Sequence, residues 1–176
     1  KDSISCGNFH GQPVAFVMDF LCIAIAELAN VSERRTERLV DPAYSNLPPF
    51  LTVEGGLNSG YMITQYTAAA LVSENKVLTH PGSVDSIPTS ANQEDHVSMG
   101  SISSVKCSEV IKNVRNVLAI ELMCACQGLD FIEEKPGQGV GLIHDLIRKF
   151  IPKLTKDRVM SDDLEYMSKM IYNEEL

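Results

Sequence analysis

The sequence predicts an all-α protein whose long helices form part of a larger helical bundle. Three observations carry this expectation. The stretches 14–40, 59–77 and 97–127 contain no proline and repeat apolar residues at helical spacing. No stretch alternates apolar and polar residues as a half-buried strand would. Each long stretch also carries more apolar surface than the other two can cover, as a piece of a bundle does.

The first helix, 14–40, has neither glycine nor proline. Its apolar positions Val14, Phe16, Val17, Phe20, Leu21, Ile23, Ile25, Leu28 and Val31 give a broad surface that turns charged near Glu33. Pro13 suits the first turn, where a missing N–H is tolerated, and Pro42 ends the helix. At the helical rise it runs about 40 Å, longer than a compact domain of this size is wide, so it needs a neighbour outside this chain. Next, Asn46-Leu47-Pro48-Pro49-Phe50 through Gly55-Gly56 excludes regular structure. The helix over 59–77 carries Ala68, Ala69 and Ala70, which let another helix come near. Residues 79–95 form a long loop, and such loops are uncommon unless they carry a site or are disordered. The third helix, 97–127, has Gly128 as its stop, and 131–139, with Pro136 and two glycines, reads as a turn. Shorter amphipathic helices, 140–150 and 162–172, close the chain; the latter starts with acidic residues, which the helix dipole favours there. The chain thus divides into 1–130, part of the central bundle with loops at 5–13 and 79–96, and a C-terminal helical segment, 131–176.

A chain of 176 residues with 44% hydrophobic content is long enough for one domain with a real core. The net charge of −8 argues against binding nucleic acid or anionic lipid, which needs clustered Lys and Arg. Cys6, Cys22, Cys107, Cys124 and Cys126 form an odd set, three of them within apolar helical runs where Cys packs as a small hydrophobe. A reducing, cytoplasmic location follows. No segment offers about 20 uninterrupted apolar residues for a membrane span, since Asp19 and Glu27 break the longest run. The opening Lys1-Asp2-Ser3 has no secretory core segment and no initiating Met, which suggests a fragment or a processed chain.

Two loop motifs carry chemistry. In Thr89-Ser90-Ala91-Asn92-Gln93-Glu94-Asp95-His96-Val97-Ser98-Met99, amide, carboxylates and imidazole stand between helices where bland turn residues would suffice. A solvated acidic loop is the plain reading of Glu94 and Asp95. Their place between a turn and a helix start favours a carboxylate aimed by the backbone. Such a carboxylate holds an imidazole through a charge-assisted hydrogen bond that a phenyl or phenol ring cannot make. The second motif, Gly7-Asn8-Phe9-His10-Gly11-Gln12-Pro13, sets an aromatic ring between glycines that allow close approach. On composition alone Phe9 reads as a turn or core aromatic or as a site residue. Asn8, His10 and Gln12 hold the loop through bonds to backbone. His80 and His96 match no common metal spacing, and Gly55-Gly56-Leu57-Asn58-Ser59-Gly60 lacks the Lys of a phosphate loop. His144, amid Leu142-Ile143-His144-Asp145-Leu146, reads as a surface or interface histidine.

Together with Ser32-Glu33-Arg34-Arg35, Leu47-Pro48-Pro49-Phe50-Leu51, Asn58-Ser59-Gly60, Glu74-Asn75-Lys76, the run from His80-Pro81 to Met99, Leu118-Ala119-Ile120-Glu121 and Ala125-Cys126-Gln127-Gly128-Leu129-Asp130, these motifs resemble the aromatic amino acid ammonia-lyases over nearly the whole chain. The resemblance implies an oligomeric, helical lyase. Phenylalanine and tyrosine enzymes of the family usually have Asn-Gln-Asp where this chain has Gln93-Glu94-Asp95-His96, so the resemblance implies elimination of ammonia from L-histidine to trans-urocanate. It gives Phe9 a place in the substrate pocket and Glu94 the binding and polarising of the imidazole. The family's electrophile, 4-methylidene-imidazol-5-one (MIO), forms from an Ala-Ser-Gly tripeptide that is absent here. The resemblance therefore implies a C-terminal portion, inactive alone. Its partners would be the missing N-terminal part and a homotetramer or hetero-assembly with shared active sites; it implies no metal. A tyrosine or phenylalanine lyase or aminomutase is the alternative within the family, and a noncatalytic helical scaffold the one outside it. One departure is Cys6, where the family commonly has glycine; at positive φ, Cys would be strained there.

Overall fold

The structure, a computed structural model, describes residues 2–4 and 10–176, so Phe9 and Cys6 lie outside the described residues. The elements in chain order are α1 (Gln12–Val40), α2 (Pro42–Ser45), α3 (Met62–Leu78), α4 (Gly100–Leu129), α5 (Gln138–Arg148) and α6 (Ser161–Tyr172), with short 3-10 turns at Pro49–Leu51 and Ser90–Asn92. Among the described residues there is no strand, only the isolated bridges Gly55↔Asn58 and Thr89↔Glu94. The all-α expectation holds.

α1 has Pro13 in its first turn and ends where Asp41 caps it through its N–H to the Glu37 carbonyl. The Asp41 carboxylate then accepts the Ala43 N–H and starts α2. The buried residues Ala15, Asp19, Cys22, Ala29, Glu33, Thr36 and Val40 follow a four-three spacing along one stripe of α1. Ser103, Cys107, Val110, Val114, Val117, Cys124 and Gly128 do the same on α4. Small residues dominate both stripes, so the two helices pack closely in a coiled-coil-like seam. Their direction follows from the bonds across them. Ser32 donates to the Val117 carbonyl, and Arg35 forks onto the Glu121 carboxylate at 2.5 and 2.8 Å. Lower residues of α1 meet lower residues of α4, so the helices run parallel.

α3 returns antiparallel to both. Gln65 near its start donates to Glu33 of α1, while Glu74 and Asn75 near its end accept from Asn113 of α4. α6 lies against the middle of α4, where Ser168 bridges Arg115 and Asn116. α5 is fixed at the end of α4 by Asp130, which accepts from His144 at 3.0 Å and from Arg148 at 2.8 Å. His144 is therefore a half-buried partner of Asp130 rather than a free surface group.

Several boundaries differ from expectation by one to three residues, and three of the differences have a tertiary reason. α3 begins at Met62, not 59, because the Asp157 carboxylate holds the Ser59 and Gly60 N–H groups at 2.7 and 2.9 Å in the preceding loop. Gly60 has φ 56°, and a Cβ there would meet the Phe50 carbonyl oxygen, so only glycine fits. α4 begins at Gly100, because the Val97 N–H is taken by the Ser86 hydroxyl. Gly128 does not stop α4; it is buried one residue before the helix ends and lets Leu47 pack against it.

α1 also corrects the reading of its hydropathy. Despite Asp19 and Glu27, it contains an 18-residue window of mean hydropathy 2.0, long and apolar enough to cross a membrane, of which 22% is buried. Asp19 itself is 4% exposed and bonded to the protein, and Phe16, Val17, Phe20, Ile23 and Leu28 are exposed on the outer side. That pattern also suits a bundle helix with one face packed in this chain and the other open to further protein.

Two tests follow from the core. Gln127 is fully buried; its amide donates to the Leu51 and Leu154 carbonyls and accepts the Leu154 N–H, tying three segments together. Gln127→Leu leaves these groups unpaired and is expected to cost on the order of 2–4 kcal/mol in denaturant unfolding; a loss below about 0.5 kcal/mol contradicts the knot. Burial, with the neighbouring Cys107 thiol, pushes Cys22 up to about 12, and burial does the same for Cys124. Both thiols should resist alkylation near pH 8 until the protein is unfolded, as read by peptide mapping; rapid labelling in the native state contradicts their burial.

Candidate functional site

The parallel course of α1 and α4 brings their N-terminal ends together, and with them the two loop motifs. After α3 the chain passes His80, whose carbonyl accepts the Lys106 ammonium of α4. At Ser83 both backbone polar groups are gripped by α1: the N–H donates to the Asp19 carboxylate at 2.7 Å, and the carbonyl accepts the Gln12 amide at 2.8 Å. Burial of Asp19 opposes its ionisation, but hydrogen bonding, that of Ser83 foremost, outweighs it and holds the carboxyl below the usual range. The segment is closed by the Val97 N–H on the Ser86 hydroxyl at 3.0 Å.

Within it, Ser90, Ala91 and Asn92 have φ of 52°, 54° and 68°, a left-handed turn without glycine. Each such residue costs about 1 kcal/mol, so its surroundings must hold it. Thr89 and Glu94 exchange backbone hydrogen bonds at 3.0 and 3.3 Å across its base. Glu94 thus has its main chain fixed while its side chain is exposed, and Asp95 and His96 are exposed beside it. The His96 carbonyl accepts Nε2–H of His10 at 2.8 Å, and the two imidazoles stack with centroids 5.0 Å apart. The His10 Nδ1 accepts the Gln12 N–H, which selects the Nε2–H tautomer. Gly11 and Gly100 approach closely here; a Cβ on Gly100 would lie 3.3 Å from the Gly11 carbonyl oxygen.

The expectation that His10 and Gln12 hold the loop is met by these bonds. The structure brings His10 to the loop of Glu94; Phe9, the residue before it, lies outside the described residues. Shallow grooves flank the loop, one lined by His80, Asp85, Met99 and Lys106, another by Gly11, Ser98 and Ser104, and neither has Glu94 in its wall. Among the described residues, no three His, Cys, Asp or Glu side chains converge as metal ligands. Asp19 escaped the sequence reading, which took it only as a break in an apolar run. The signal was there: a lone carboxylate within an otherwise apolar helical segment, where burial demands a partner.

Residues 1–149 match the model of the aromatic amino acid lyase family. The histidine ammonia-lyase of Alkaliphilus oremlandii is 62% identical over 177 residues, covering 100% of this chain and 35% of that protein. A crystal structure of histidine ammonia-lyase from Trypanosoma cruzi superposes with a TM-score of 0.94 at 48% identity, over 99% of this chain and 35% of the other. Tyrosine aminomutase from Streptomyces globisporus superposes almost as well, with a TM-score of 0.93 at 36% identity, over 99% and 34%. The chain spans about a third of the length of the curated relatives it matches.

The His10 bracket can be tested directly. His10→Ala removes the bond to His96 and the stacked ring, and is expected to speed amide exchange over residues 89–97 severalfold while the α4 core stays protected. Unchanged exchange in that segment contradicts the bracket.

Proposed function

This chain belongs to the aromatic amino acid lyase family, and from that membership we propose that it is the C-terminal third or so of a histidine ammonia-lyase, which eliminates ammonia from L-histidine to give trans-urocanate. The observation that carries the choice of substrate is Glu94, an exposed carboxylate on a turn whose main chain is fixed on both sides. An imidazole N–H donates to such a carboxylate, and the ring is thereby oriented and polarised; phenyl and phenol rings lack that donor. Phe9 supplies an aromatic face for the same ring. The higher identity to histidine ammonia-lyases than to the tyrosine aminomutase supports the same choice, whereas the near-equal superpositions do not discriminate. A tyrosine or phenylalanine enzyme of the family is the second reading.

The prosthetic group of this reading, MIO, would form from an Ala-Ser-Gly tripeptide outside this chain, since none occurs in it. The described residues fit the substrate side of such a site. Glu94 is left open to a ligand, while both His10 ring nitrogens are engaged within the loops. The prosthetic group supplies the electrophile that elimination requires. This chain's residues bind and orient the imidazole, and the chain alone is inactive. In the complete enzyme, residues 1–130 belong to the central bundle and 131–176 form the C-terminal helical segment. The assembly is a homotetramer or hetero-assembly with shared sites, cytoplasmic, without nucleic acid or membrane; the buried free thiols suit a reducing compartment.

In the full-length enzyme, Glu94→Gln is expected to lower kcat/KM for L-histidine about 100-fold, the scale of one hydrogen bond to a charged group, followed through the ultraviolet band of urocanate. Turnover of L-histidine within twofold of wild type removes Glu94 from the site. Faster turnover of L-tyrosine than of L-histidine by the unmodified enzyme favours the second reading.

A further inference from the structure

We propose that Asp19, assisted by Gln12, is a positioning residue of the site: it grips Ser83 from inside α1 and so sets where the loop presents Glu94. The inference rests on the functional reading of Glu94 given above. Asp19 is 4% exposed, yet its neighbours Phe16, Val17, Met18, Phe20, Leu21 and Cys22 are apolar. A carboxylate buried there costs several kcal/mol unless its oxygens are bonded, so an apolar residue would serve the seam better if packing were all. The carboxylate instead accepts the Ser83 N–H at 2.7 Å. Gln12, seven residues earlier and so on the same face of α1, donates to the Ser83 carbonyl at 2.8 Å. One peptide segment of the loop is thus held at both polar groups by one helix face.

The grip matters because of where the loop is tied next. Its second tether, to the residues just before α1, is His10 on the His96 carbonyl, two residues beyond Glu94. Between the tethers the chain makes a glycine-free left-handed turn that is closed by its own Thr89–Glu94 pair and by the Val97 N–H on the Ser86 hydroxyl. With Ser83 released, the turn loses its tie to the face of α1 and keeps only the Lys106 bond to the His80 carbonyl, the Ser86–Val97 closure and the His10 tether; a displacement of about 1 Å at a binding carboxylate is enough to cost up to 100-fold in rate. Asp19 does not touch the substrate in this arrangement; it acts through the backbone from Ser83 to Glu94.

The test uses the full-length enzyme and a double-mutant cycle. Asp19→Ala is expected to lower kcat/KM for L-histidine at least about tenfold, and Asp19→Asn, which keeps an acceptor oxygen, to recover part of the loss. If Asp19 works through Glu94, the loss caused by Asp19→Ala falls below about twofold in a Glu94→Gln background. An equal loss in both backgrounds marks a merely structural role and overturns the proposal, as does no loss at all. Amide exchange reads the grip without catalysis: Asp19→Ala should expose the Ser83 N–H and speed exchange through residue 95, with α1 still protected. Should Glu94→Gln leave histidine turnover intact, the functional reading falls by itself. The exchange data then decide the grip alone, unchanged protection at Ser83 overturning it.

Discussion

The parallel seam between α1 and α4 is the constraint on which the rest of the structure depends. Two helices of about thirty residues that run in the same direction cannot be joined by a tight turn; the chain must travel back the full length before the second begins. α2, the 47–61 loop and α3 make that return. As a consequence, the chain crosses the N-terminal ends of both helices twice, once before α1 and once before α4. Those two crossings are the two motifs that stood out in the sequence, separated by more than seventy residues and joined here by the bond of His10 to His96.

A seam of Ala, Ser, Cys and Val packs closely but specifies its register weakly, because one small residue fits opposite another nearly as well after a slip of one repeat. The buried polar groups supply what the small ones lack. Asp19 requires Ser83, Ser32 requires the Val117 carbonyl, and Glu33 requires Gln65 and Arg34. A slip of one heptad would leave a buried carboxylate without its donors, which costs far more than a rearranged alanine contact. Gln127 plays the same part at the opposite end, where it ties the left-handed Phe50–Leu51 turn to the 152–154 segment. The polar residues inside this bundle thus fix how the helices are placed, and the helices fix the loop.

Helix content was legible because it depends on local spacing: the apolar positions of 14–40 and 97–127 and the prolines at 13 and 42 mark their elements within a few residues. What escaped depends on distant partners. No local signal says that Asp157 will hold Ser59 and Gly60 out of α3, or that Ser86 will take the Val97 N–H and delay α4. Gly128 has the residue type of a helix stop, yet serves as a contact for Leu47. The left-handed turn at Ser90, Ala91 and Asn92 carries none of the glycines by which such turns are recognised. The importance of the 89–99 segment was readable from its density of polar side chains, and so was a loop-holding part for Gln12; the support from Asp19 was not.

An exposed Glu94 and an exposed apolar face on α1 belong to one argument. A carboxylate in bulk water gains little from an imidazole, because water competes for the same hydrogen bond and screens the charge. For Glu94 to discriminate between aromatic substrates on the proposed reading, water must be excluded by walls that the described residues do not supply. The outer side of α1, with Val14, Phe16, Val17 and Phe20 exposed in its first turns, starts at the end of the bundle where the loop sits. Fully burying an apolar side chain is worth about 1.5–3 kcal/mol, and these half-exposed ones gain part of that when further protein covers them. On the proposed reading, protein that both covers this apolar face and reaches Glu94 would supply the exclusion of water that the carboxylate needs to be selective.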